Sequence, residues 1–106
     1  MNKILVVDDS SDIRLLLSRT LKAAGYTVSE ATDGDEVLAA TLSYEPDMIL
    51  LDVAMARVDG FKALAQLKKD PRSRNIPVIM VTAKAHPSDL ETARTLGALD
   101  YINKPW

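Results

Sequence analysis

Asp8 and Asp9 follow one short apolar run, KILVV, and Asp52 follows another, MILL. Thr82 follows a third, PVIMV, and Lys104 comes just after the last, Leu99–Ile102. These residue types suit one kind of chemistry. Three carboxylates brought together repel, and a hard divalent cation with oxygen ligands relieves that repulsion. Mg2+ typically takes one or two carboxylates together with water and phosphate oxygens. An aspartate carboxylate can also act as a nucleophile and carry a phosphoryl group as an acyl phosphate. Such transfer depends mainly on positioning and charge stabilisation. Mg2+ and a lysine ammonium can supply the positive charge, and a threonine hydroxyl can donate a hydrogen bond.

The elements that must bring these residues together alternate in type. Short apolar runs predict strands at Lys3–Val7, Tyr26–Ala31, Asp47–Leu51, Pro77–Val81 and Leu99–Ile102. Apolar residues at helical spacing, such as Ile13, Leu16, Leu17 and Leu21, predict helices. These are expected at Ser11–Ala24, Asp35–Tyr44, Gly60–Lys69 and Pro87–Leu96, with Gly25, Pro46 and Gly97 as stops. Strands alternating with helices imply an α/β fold built on a parallel sheet covered on both faces.

A flavodoxin-like three-layer arrangement, with five strands in the order 2-1-3-4-5, puts all the strand ends on one edge. Ligands bind at that edge, near the switch point between the first and third strands. Right-handed crossovers then place the first helix on one face of the sheet and the other three on the opposite face. One helix cannot cover five strands. A fifth helix is expected after the last strand, and the sequence stops at Trp106. The expectation is therefore a C-terminally truncated domain over residues 1–106, with part of the surface over the last two strands left open.

Composition narrows the field. The chain is 106 residues long, 47% hydrophobic and 26% charged, with a formal net charge of −2. That size suits one domain. The acidic balance argues against direct nucleic-acid binding. There are no cysteines, which removes disulfides, zinc-thiolate sites and thiol nucleophiles and fits a cytoplasmic setting. The N-terminal apolar run ends in two aspartates, so it is neither a signal peptide nor a membrane span.

Read together, KILVVDDS, LDVAMARVDG, VIMVTAKA and GALDYINKPW resemble the motifs of response-regulator receiver domains across the whole chain. The resemblance implies that Asp52 is the phospho-acceptor in a two-component phosphorelay. It implies that Asp9 binds Mg2+ directly, that Asp8 does so partly through water, and that the backbone carbonyl of Ala54 completes the protein ligands. Lys104 would contact the phosphoryl group. Thr82 would be the switch hydroxyl, and Tyr101 the aromatic that moves with it. The partner would be a histidine kinase or a histidine phosphotransfer protein. The loop after Asp52 departs from the usual pattern, reading Ala54-Met55-Ala56 where an MMP-like sequence is common. The open sheet face could serve a homodimer, with Trp106 in the contact.

Blander readings stand beside these. Asp8 and Asp9 also suit a turn and a helix cap. Tyr101 also suits a half-buried core aromatic. Lys68, Lys69, Arg72 and Arg74 read as a solvated helix end, where cations suit the dipole. His86 reads as a solvated surface residue. Three other functions compete. A Mg2+-dependent phosphatase would carry a second aspartate at position 54, which is alanine. A nucleotide-binding module would carry a glycine-rich turn where DDSSD stands. A receiver scaffold that keeps the motifs but no longer signals is the third.

Overall fold

A strand without polar alternation must be covered on both sides. KILVV forms β1 (Lys3–Val7), and Ile4 through Val7 are all buried. The computed structural model describes residues 2–32, 34–52, 60–82 and 87–103. The side chains of 34, 35, 82, 87–90 and 101–103 also lie outside the described set. After β1 come α1 (Ser11–Ala23), β2 (Thr27–Ala31), α2 (Gly34–Tyr44), β3 (Met48–Asp52), α3 (Gly60–Lys69), β4 (Val78–Thr82), α4 (Pro87–Leu96) and β5 (Asp100–Asn103). The strands form one parallel sheet in the order β2-β1-β3-β4-β5. This is the expected flavodoxin-like arrangement.

The predicted layering holds. Alternate strand residues face opposite sides of a sheet. Leu5, Val7, Ala31, Ile49, Leu51, Val78 and Met80 pack with Val37 of α2, with Ala63, Leu64 and Leu67 of α3, and with Ala93 of α4. Ile4 and Val6 face the other way, with Val28, Met48 and Leu50, onto Ile13, Leu17 and Leu21 of α1. The large core thus lies under three helices and the small one under one. Each fully buried leucine contributes roughly 1.5–3 kcal/mol relative to an exposed one. On the α1 side cover is thinner: Leu50 and Ile79 are only half-buried, and Leu15 and Leu16 are half exposed. Leu16 therefore lies outside the buried stripe that helical spacing assigned to it. Among the described residues no helix is long and apolar enough to cross a membrane.

Helix ends follow local chemistry. Ser10 caps α1, its hydroxyl accepting from the Ile13 N–H at 3.4 Å. At the other end Gly25 takes φ +97°, and its N–H and that of Tyr26 bond back to the carbonyls of Lys22 and Leu21. That motif ends the helix at Ala23, one residue before the expected Ala24.

Four strand boundaries differ from the sequence reading, each starting one residue later. β2 begins at Thr27, β3 spans Met48–Asp52, β4 Val78–Thr82 and β5 Asp100–Asn103. Ladder pairing is a backbone property and continues past the apolar run. Asp52 pairs with Val81, and Thr82 with Asn103. Asp52 and Thr82 are therefore the last residues of their strands instead of the first residues after them. In the basic cluster at the end of α3, Lys69, Arg72 and Arg74 are exposed as expected, and only Lys68 departs from a solvated end. Lys68 Nζ donates to the carbonyls of Arg74 at 3.1 Å and Ile76 at 2.8 Å, and partial burial lowers its pKa.

Candidate functional site

The β1–β3 register assembles the site. Val7 pairs with Leu51, so the next residues, Asp8 and Asp52, emerge side by side at the C-terminal edge of the sheet. β1 and β3 are adjacent although not consecutive in the chain, so this is the switch point of the strand order. The chain then turns sharply into α1. The Asp8 N–H donates to the Ala31 carbonyl at 3.2 Å, carrying the β1–β2 ladder one step further. Asp8 Oδ1 accepts from the Ser10 N–H at 2.9 Å, a side-chain turn of the kind aspartate favours. Asp9 is left exposed between them.

Carboxylate oxygens of Asp8, Asp9 and Asp52 all lie within 4.8 Å of one another. Asp8 is 2% exposed and Asp52 5%. Two buried acids and one exposed acid at this spacing concentrate negative charge in one place. Oxygen donors from carboxylates so grouped fit a hard divalent cation and do not fit a soft metal. The acidic cluster is thus able to hold such an ion, with its open side at Asp9.

Of the other residues named from sequence, Thr82 closes β4 on the same edge, one step beyond Val81, the partner of Asp52. Tyr101 lies within β5, paired with Met80. Their side chains, and all of Ala54 and Lys104, lie outside the described residues, as do His86 and Trp106.

Sequence reasoning missed two residues next to this site. Arg14 Nη1 donates to the Asp8 carbonyl at 2.7 Å, and its Nε donates to Glu30 Oε1 at 3.2 Å. Arg14 and Glu30 are 16 positions apart. No sequence signal links them, because their meeting depends on how α1 lies against β2. A cleft of about 350 Å³ lined by Thr41, Glu45 and Arg72, among others, lies at the opposite edge of the sheet. The Thr41 hydroxyl there has no hydrogen-bond partner but is fully enclosed, so it offers nothing to a ligand.

With this geometry in hand, the relatives are informative. Residues 4–106 match the family model described as the response regulator receiver domain. The chain is 40% identical over 106 residues to the DNA-binding dual master transcriptional regulator RpaA of Synechocystis sp., covering all of this chain and 44% of RpaA. It is 38% identical over 105 residues to protein PilH of Pseudomonas aeruginosa, covering 99% of this chain and 87% of PilH. The solved structure of chemotaxis protein CheY4 of Vibrio cholerae superposes with a TM-score of 0.95 at 35% identity, covering 100% of this chain and 88% of CheY4. The chain spans less than half the length of several curated relatives that it matches.

Proposed function

The chain belongs to the response regulator receiver family, and from that premise we propose that it is a phospho-accepting switch of a two-component phosphorelay. An Asp52 carboxylate oxygen attacks the phosphorus of a phosphohistidine on a kinase or phosphotransfer protein. The phosphorus–nitrogen bond breaks and an aspartyl phosphate remains. Asp8 and Asp9, with Asp52 and the carbonyl of Ala54, would hold Mg2+, which supplies positive charge to the phosphoryl oxygens when bound. Lys104 sets its ammonium against the same oxygens. Thr82 then donates a hydrogen bond to the new phosphoryl group, Tyr101 follows, and the α4–β5 surface changes. The domain acts in the cytoplasm, and it is not an enzyme in the ordinary sense, because the group it transfers ends on its own side chain.

The observation that carries this reading is the convergence of Asp8, Asp9 and Asp52 within 4.8 Å at the switch point of the sheet. The test is binding of beryllofluoride, a phosphoryl mimic, followed by NMR amide shifts with and without Mg2+. Mg2+-dependent shifts around positions 52, 82 and 101, absent in Asp52→Asn, are expected. A folded protein that shows none would leave the chain a scaffold that keeps the motifs without the switch.

A further inference from the structure

The Asp8–Ser10 turn is held from several directions, and one of the holding groups is a charged side chain. The Asp8 N–H is tied to Ala31 and its Oδ1 to the Ser10 N–H. Its carbonyl is tied to Arg14 Nη1 at 2.7 Å, the short distance of a charge-assisted bond. Arg14 is anchored in turn by Glu30 on β2, where Glu30 pairs with Val6 of β1. Both ends of this clamp therefore stand on regular elements. The Arg14 side chain is 16% exposed and that of Glu30 42%, so the bond to the Asp8 carbonyl is the better shielded and the brace to Glu30 stands partly in solvent.

The peptide group is planar, so fixing the Asp8 carbonyl fixes the plane that leads into Asp9. Resting on the reading above, that Asp8, Asp9 and Asp52 hold Mg2+, we infer that Arg14, braced by Glu30, is a positioning residue that sets the angle between the Asp8 and Asp9 carboxylates and so favours Mg2+ over larger cations. Mg2+ demands near-ideal octahedral geometry, whereas Ca2+ accepts irregular sites. A loosened turn should therefore cost Mg2+ more than Ca2+.

Charge alone predicts the opposite sign. Arg14 is a cation beside a cation site, so removing it would strengthen binding of either metal if electrostatics decided the matter. The two accounts separate by titrating the intact chain with MgCl2 and with CaCl2 by calorimetry, for wild type, Arg14→Met, Glu30→Gln and the control Asp9→Asn. Arg14→Met is expected to weaken Mg2+ binding roughly tenfold, in line with other residues that orient metal ligands, and Ca2+ binding distinctly less. Glu30→Gln should move both constants the same way by a smaller factor. Unchanged or tighter Mg2+ binding in Arg14→Met, or equal loss for both cations, would overturn the inference. If Arg14→Met does not fold, Glu30→Gln decides by the ratio of the two cations alone, because losing its negative charge weakens both equally: a larger loss for Mg2+ supports the inference, and an equal loss overturns it. Wild type that binds no Mg2+, or Asp9→Asn that binds as wild type does, would remove the metal reading itself and the inference with it.

Discussion

Asp70 and the Asp8–Asp9–Asp52 group sit at opposite edges of one sheet, and an arginine meets each of them in a different way. Asp70 follows α3 and meets a partner two residues on. The Arg72 guanidinium bonds it at 3.0 and 2.8 Å and the Arg72 N–H at 2.9 Å, and these bonds hold its carboxyl down to about 2. At the other edge the nearby arginine is spent differently. Arg14 bonds the backbone carbonyl of Asp8, while carboxylate oxygens of Asp8, Asp9 and Asp52 gather within 4.8 Å of one another. A turn acid with a local cation is an anchor. Acids gathered from separate strands, beside an arginine turned to the backbone, form a cluster whose oxygen donors fit a hard divalent cation.

That contrast can be broken in several ways. The largest effect should come from Asp52→Asn, which is expected to abolish acyl-phosphate formation from acetyl phosphate or a phosphorylated kinase, read by phosphate-affinity electrophoresis. Asp70→Asn should leave it intact. Next, Mg2+ at a hundred times its dissociation constant should stabilise the fold by about 2.7 kcal/mol. Most of that gain should vanish in Asp9→Asn, as measured by thermal unfolding with and without the metal. In EDTA, Asp9→Asn should instead raise the unfolding free energy read from the urea midpoint, by about 0.5 kcal/mol, because one like charge leaves the cluster. Asp70→Asn should lower it. A matching sign for the two variants in EDTA would erase the distinction.

The smallest effect is in acid. The Asp70 carboxyl sits near 2 in the fold and near its ordinary value of 3.8 when unfolded, so the folded state binds fewer protons. Its contribution is present above about pH 4 and fades as pH falls through about 2. Urea titrations across that window should show a shallower loss in Asp70→Asn.

Much of this was legible in the sequence. ILVV and MILL are continuous apolar runs too short for a helix, as strands buried on both faces carry. Handedness of crossovers then separated α1 from the other helices before any contact was known. Asp8, Asp9 and Asp52 were legible because they stand at the ends of those runs. What could not be read depends on lateral placement. Asp52 lies inside β3 because its backbone meets Val81, a fact of register and not of polarity. Leu16 fits the helical stripe of α1 yet is 52% exposed. Arg14 and Glu30 carry no mark that they meet. Lys68 and Arg72 read as solvated; Arg72 is exposed, though it also anchors Asp70, whereas Lys68 is half-buried and caps carbonyls.

The register that joins Asp8 to Asp52 also sets when the site can exist. Lys3 and Asp47, bonded at the start of the β1–β3 pairing, are 44 residues apart, and α1, β2 and α2 all lie between them. Closing a loop of that length costs entropy before any contact repays it, and pairings of this kind come late and slowly. A nascent chain that has emerged only as far as residue 47 therefore carries Asp8 and Asp9 as ordinary turn acids. Asp52 joins Asp8 and Asp9 only where β1 and β3 pair, so if the cluster holds a cation as proposed, its uptake during refolding would report that pairing.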